Sequence, residues 1–355
     1  MRFIGNKILL LNEIKGFIDE NIQYSNGLIF CDLFSGSGSV ARYFKKYYKI
    51  ISNDFLYFSY VLQKATIELN NVPNFSKLNL FSKNDLRSIL NYFEITPLDD
   101  LQRQYNIQYD ELFIYNNYTP SNGSQRMYFT PKIGKRIDLI RIIIEKWFNK
   151  RMINEEEYFY LLMILIESIP FYSNISGVYA AYLKHWDKRT LKPFKFTNIE
   201  IFNNGLDNKV YNRDAHELIN EIKGDILYLD PPYNNRQYLP NYHILETVAK
   251  YDYPTIRGVS GMRDYDNQKS NFCKKNEVRD ALIDIVKNAN FKYIVMSYST
   301  DGLLSCAEIE RIFKKYGKKE TFKMAKPIKY RKYKSKQKQK KKDLHELLFF
   351  IEKKC

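Results

Sequence analysis

Cysteine and histidine are scarce in this chain, with four of each in 355 residues. Cys31, Cys273, Cys306 and Cys355 are scattered, and no pair has metal-site spacing. A zinc centre is therefore not expected, and reduced thiols of the kind found in the cytoplasm are. A G-K-[ST] phosphate loop is absent, and the one glycine-rich turn lacks the G-x-G-x-x-G spacing of dinucleotide sites. Long apolar runs are missing as well. The greasiest stretch, YFYLLMILIESIPFY at 158–172, contains Glu167 and Pro170 and is far too short for a membrane span, so it reads as a buried helix. The opening MRFIGNKILLLNEIKGF has neither the long apolar core nor the small-residue cleavage site of a secretory signal. Acidic residues are absent from 323–342, where KMAKPIKYRKYKSKQKQKKK carries eleven of the positive charges behind a formal net charge of +16. A balance this basic suits a polyanion, nucleic acid before an acidic membrane surface.

What is present is an alternation of strand and helix signals. GLIFCDLF is apolar on both faces, as in the centre of a parallel sheet. It runs into the glycine turn SGSG and then an amphipathic helix. KIISND is a second strand, ending in Asp54 and followed by another helix. Strand signals return at VYNRDA, DILYLD, KYIVMSYS (292–299), TFKMAKPIKY and ELLFFIEK, the last two flanking the basic tract. Between about 71 and 204 the alternation gives way to helical patterns. The expected fold class is α/β, a doubly wound, mostly parallel sheet interrupted by a mainly helical insertion. The core is expected over 1–75 and 205–355 and the insertion over 76–204.

Two motifs carry chemistry. In DLFSGSG, Asp32 sits at a strand end, and Gly36 and Gly38 let the backbone turn tightly beside a ligand. Asp54, about twenty residues on, can accept hydrogen bonds from both hydroxyls of a ribose; capping the next helix is the ordinary alternative. The set suits a cofactor with a ribose and no phosphate. The second motif, LDPPYNNRQY, ends an apolar strand on Asp230, Pro231, Pro232 and Tyr233. An exocyclic amine on a nucleobase is a poor nucleophile because its lone pair is delocalised. A carboxylate oxygen (Asp230) and a backbone carbonyl (Pro231), fixed by two prolines, can accept its hydrogens and favour a tetrahedral nitrogen. Tyr233 can stack on a base outside a duplex.

Together with RFIGNK at 2–7, these motifs and their order resemble the Dam-like class of S-adenosylmethionine-dependent DNA adenine-N6 methyltransferases of restriction–modification type. The resemblance implies a Rossmann-like methyltransferase core in which Phe3, Gly5 and Lys7 contact the methionine part of the cofactor, with Asn6 where the family often has a second glycine. It further implies that Asp32, Phe34, Gly36 and Gly38 form the cofactor loop, that Asp54 binds the ribose and that Asp214 in YNRDA lies beside the cofactor adenine. Asp230 to Tyr233 match the catalytic motif, with Asp230 also near the cofactor. The resemblance implies too that the target adenine of double-stranded DNA is flipped out for transfer and that a restriction endonuclease encoded nearby is a partner, without a stable complex. Action at the nucleoid, in a bacterial cytoplasm, is expected.

Target recognition is expected in the insertion, where Tyr179, Tyr182, Lys184, His185, Arg189 and Lys192 combine charge and aromatic surface. Arg236 and Gln237 are expected to line the base pocket or touch phosphate, with support of a loop as the ordinary alternative. Lys332 and Lys334, in the basic tract, are expected to touch phosphate without sequence preference. His243 is expected to cap or pack a helix. Competing readings are methylation of cytosine's 4-amino group or of adenine in RNA, and an inactive DNA-binding module. Carbon-5 methylation of cytosine is disfavoured because no cysteine adjoins a proline.

Overall fold

The computed structural model describes residues 3–78, 85–197, 199–329 and 344–354. The chain divides into two compact units, one of 1–4, 56–203 and 238–266, the other of 5–55, 204–237 and 267–355. The helical unit thus takes in chain on both sides of the expected insertion.

The second unit is built on the sheet. Among the described residues its strands are β1 Ile29–Asp32, β2 Lys49–Asn53, β3 Lys209–Tyr211, β4 Lys223–Leu229, β5 Asn290–Ser299, β6 Lys323–Met324, β7 Ile328–Lys329 and β8 His345–Glu352. Their order is β3-β2-β1-β4-β5-β8-β6, with β7 also paired to β8. The first five run parallel, and β8 lies antiparallel to β5. TFKMAKPIKY, expected as one strand, supplies two short ones, and Pro327, which has no N–H for a ladder, lies between them. Phe30, Cys31, Leu227, Leu229, Ile294 and Met296 are fully buried, as central strands covered on both faces require. Strand order reverses at β1 and β4, the place where open α/β sheets leave a crevice beyond the strands' carboxyl ends. In the β1–β4 register Asp32 lies opposite Tyr228, so Asp32 and Asp230 emerge from the same edge.

The first unit is mainly helical. Its longer helices are Leu86–Ile95, Pro131–Asn149, Glu155–Ser168 and Leu239–Lys250. The apolar stretch expected at 158–172 is a helix as far as Ser168, buried on every side over 158–168 as its all-round hydrophobicity demands. It opens on an Asn154–Glu157 capping box and gives way at Ser168, just before Pro170, to a 3-10 turn. Two buried carboxylates cap helices that neighbour them only in space. Asp138 accepts the N–H groups of Ile114 (2.9 Å) and Tyr115 (2.7 Å). Glu246 accepts those of Tyr57 (3.1 Å) and Phe58 (2.9 Å). Among the described residues no helix is long and apolar enough to cross a membrane.

Candidate active site

The glycine turn is organised by β2. Asp54 Oδ2 accepts the Gly36 N–H at 2.7 Å, and the Asn53 carbonyl accepts the Ser35 N–H at 2.9 Å. Gly36 and Gly38 take positive φ (54° and 73°), where a side chain would be strained, and Gly38 stands at the start of helix Ser39–Phe44. Helix Tyr57–Gln63 has Leu56 at its N-cap position, and its first N–H groups, those of Tyr57 and Phe58, are taken by Glu246. Asn53, which sequence reasoning missed, is fully buried. Its side chain donates to the carbonyls of Leu33 (3.2 Å) and Arg213 (3.1 Å) and accepts the Arg213 N–H (3.1 Å), joining the ends of β1 and β2 to the chain leaving β3. Asp214, two residues past Asn212, caps the short helix Ala215–Leu218 through the His216 N–H at 2.7 Å.

Asp32 is almost fully buried. Its Oδ2 accepts the Ser35 hydroxyl at 2.9 Å, whereas Oδ1 is buried with no hydrogen-bond partner among the described residues. Burial pushes its pKa up to about 8 against the Ser35 hydroxyl and the backbone N–H of Ala41, with the Asp230 and Asp54 carboxylates adding to the rise.

Asp230 follows directly on β4. Its Oδ1 accepts from the Lys7 ammonium at 2.8 Å, and Lys7, only 3% exposed, also reaches Glu346 at 3.3 Å. Lys7 further donates to the carbonyl of Gly5, which adopts a positive φ of 76°. Burial alone would pull the Lys7 pKa down, but the two carboxylates more than offset it and hold it well above the ordinary value. Burial raises Asp230 to about 6, Lys7 opposing the rise and Glu346 adding to it. Asp230 Oδ2 makes no hydrogen bond among the described residues. Glu346 is fixed by the Ser297 hydroxyl at 2.5 Å. Glu346 lies in no recognisable motif. A lone carboxylate in the apolar run ELLFFIE was the one signal that could have found Glu346, because a buried charge needs a partner.

The prolines are followed by Tyr233, half-buried, its ring edge-on to Tyr298 at 6.3 Å and its carbonyl accepting the Leu303 N–H at 2.9 Å. Burial pushes its hydroxyl up to about 12, so the ring stays neutral. Phe34, partly buried, packs edge-on to Phe272 at 5.1 Å. Gln237 is a loop support: its amide exchanges two hydrogen bonds with the backbone of Ser270 (3.0 and 2.8 Å). Arg236 is exposed, and its carbonyl accepts from the Cys273 thiol.

Phe3 belongs to the helical unit. It stacks on Tyr242 at 4.7 Å, and the Tyr242 hydroxyl accepts the Ile4 N–H at 2.6 Å. In the same unit, the expectation for Tyr179 needs correction. The residue is 2% exposed, its hydroxyl pairs with Ser173 at 2.8 Å and its carbonyl takes the Tyr128 hydroxyl at 2.9 Å, so it offers no ring to an outside partner. His243 packs inside its helix with Nε2 on the same carbonyl, as expected; burial lowers its pKa to about 4. Tyr182 is half-buried against Tyr128, and Arg189 is held by the Ile175 carbonyl and Asp187. Lys184, His185 and Lys192 are exposed. Buried Asn174 ties this irregular stretch together through Leu183 and Asp187. Lys332 and Lys334 lie outside the described residues.

The profile described as D12 class N6 adenine-specific DNA methyltransferase matches residues 3–312. The chain is 50% identical over 353 residues to the type II methyltransferase M.FokI of Planomicrobium okeanokoites, covering 99% of this chain and 53% of that protein. It is 41% identical to the modification methylase StsI of Streptococcus sanguinis, covering 100% of this chain and 52% of that protein. It thus spans about half the length of these two relatives. It is 39% identical over 321 residues to the type II methyltransferase M.NlaIII of Neisseria lactamica, with 90% and 89% covered.

Proposed function

The chain belongs to the D12 class of N6 adenine-specific DNA methyltransferases, and from that premise we propose that it methylates the N6 amine of adenine in double-stranded DNA, with S-adenosylmethionine as donor, as the modification enzyme of a restriction–modification system. One observation carries the reading: a half-buried carboxylate at the end of β4 is held on one oxygen by Lys7 while its other oxygen has no hydrogen bond among the described residues.

The site's chemistry fits the cofactor. Asp32, Asp54 and Asp230 face one another closely enough for each of the other two to raise the pKa of Asp32. Such a field favours a cation and disfavours phosphate, and S-adenosylmethionine, when bound, supplies an electrophilic methyl group on a sulfonium. The buried, unpartnered Asp32 Oδ1 is an acceptor awaiting a donor or a positive charge. Asp54, already bound to Gly36, is suited to a ribose hydroxyl, and Phe34 offers a partly exposed apolar wall.

The protein's part in transfer is positioning. Lys7 fixes Asp230 by one oxygen, which leaves Oδ2 to accept one N–H of the amine, while the Pro231 carbonyl is assigned the other. Both acceptors are held before reaction, so little reorganisation is needed when charge develops on nitrogen. Tyr233, kept neutral, holds the base face, and the flipped adenine must stack on such a ring to offset its lost stacking in the duplex. Lys184, Lys192 and Arg236, all exposed, are assigned to DNA contact. Mapping N6-methyladenine in DNA from cells expressing the chain tests the proposal. Modification at one sequence context in the wild type, absent with Asp230→Ala, is the expected result; unmodified adenine with soluble, folded wild-type protein would overturn it.

A further inference from the structure

The Lys7 ammonium is shared. Glu346 on β8 approaches it at 3.3 Å while Asp230 takes it at 2.8 Å, and Ser297 on β5 pins Glu346 at 2.5 Å. Glu346 is 3% exposed and stands in a strand whose other central residues are apolar. A second buried carboxylate on one buried lysine is not a device for stability, since each ion loses its hydration and the pair of acids repels. It does have a geometric consequence. With Asp230 alone, a lysine with three donors would settle between both oxygens of the carboxylate. Held from its other side, it can meet only one.

We infer that Glu346, anchored by Ser297, is a positioning residue for methyl transfer: it draws the Lys7 ammonium to one side, so that Lys7 holds Asp230 by Oδ1 and leaves Oδ2 for the amine. This rests on the methyltransferase reading of the same site. The charged or titratable groups acting on Asp230 include Lys7 and Glu346, with Asp32, Tyr228 and Tyr233 close enough to be coupled to it. Removing the Glu346 charge takes away a like-charged neighbour and gives Lys7 wholly to Asp230. The carboxylate then becomes a weaker base and a more encumbered acceptor.

The test is Glu346→Gln in the full chain, which keeps shape and the Ser297 contact. Single-turnover methylation of duplex DNA is followed from pH 5 to 9, and S-adenosylmethionine affinity is measured by calorimetry. The expected result is a rate about tenfold lower, an acid limb displaced downward by about half a unit to one unit, and cofactor affinity within about twofold of wild type. A rate and acid limb that superimpose on wild type would overturn the inference, even with a lowered melting temperature. Where Glu346→Gln does not fold, Ser297→Ala keeps the charge but frees it; a reduced kcat at unchanged KM for the cofactor supports the inference, and an unchanged kcat overturns it. Active wild type with an indifferent variant refutes only the positioning role, whereas wild type inactive at every pH refutes the methyltransferase reading with it.

Discussion

Asp32→Asn isolates the most perturbed carboxyl of the candidate site. In the folded chain its pKa is raised by burial from 3.8 to about 8, a displacement of about four units. At ~1.36 kcal/mol per unit this corresponds to on the order of 5 kcal/mol between the two protonation states. The direction follows from proton binding. Between pH 4 and 8 the folded state keeps a proton that the unfolded chain has released, so each rise in pH across that window lowers stability. Asparagine has almost the same shape and cannot ionise. The stability of Asp32→Asn minus that of wild type should therefore be at its lowest, and negative, at pH 4. It should climb by several kcal/mol through pH 8 and level off above it. An unsatisfied amide N–H in place of the unpartnered Oδ1 takes back about 1–3 kcal/mol at every pH. Urea unfolding followed by circular dichroism at pH 4, 6, 8 and 9 measures the difference. Cofactor binding should move the other way: a cation stabilises the ionised carboxylate, so wild-type affinity rises with pH towards 8 and the variant loses both affinity and that pH dependence. A stability difference that is flat with pH would refute the assignment of a buried, uncompensated carboxyl at Asp32.

Asp230→Ala should lower the rate of transfer by about a thousandfold or more, as loss of a preorganised group aimed at the reacting atom does, with the near-native circular dichroism spectrum retained; measurable full activity would end its catalytic assignment. Wild-type activity should fall as pH drops through about 6, where Asp230 takes up a proton and ceases to accept from the amine, and an acid limb below pH 5 would contradict this. Replacing Lys332, Lys334 and the lysines at 336, 338 and 340–342 with glutamine should weaken DNA binding and flatten the plot of log affinity against log salt by up to about 0.9 for each phosphate that is no longer neutralised; an unchanged slope would mean that the tract is only solvated.

Much of the sheet was legible because its strands are apolar on both faces and bounded by Gly, Asp or Pro, signals that act locally. The same holds for the ends of β1, β2 and β4, where Asp32, Asp54 and Asp230 interrupt apolar runs. Partners were less legible. Asp54 was left between a ribose and a helix cap, and its Gly36 contact depends on β1 and β2 lying side by side. Tyr179 was misjudged for a related reason: in a basic, aromatic stretch its neighbours look exposed, yet Tyr128, Ser173 and His243, 51, 6 and 64 residues away, enclose it. Polar composition reports what a segment can touch, whereas burial is decided by helices elsewhere in the chain.

Charge placement gives the two kinds of site opposite characters. The strand-end site sets Asp54, Asp230 and Glu346 against one buried lysine, with Asp32 beside them ready to ionise when a cation enters, so it disfavours phosphate and favours a cation. The excess of basic residues lies elsewhere, above all in 323–342. A nucleic acid backbone drawn to these basic residues is therefore not drawn into the acid site by charge, and a base entering that site must do so as a neutral ring. Stacking on Tyr233 and acceptance by Asp230 are interactions that a neutral amine-bearing base can make and a phosphate cannot. Raising ionic strength should accordingly weaken DNA binding while leaving the rate of transfer from the bound complex nearly unchanged. Single-turnover rates at saturating DNA in low and high salt measure this; a rate that falls in parallel with affinity would show that backbone charge does reach the reacting centre.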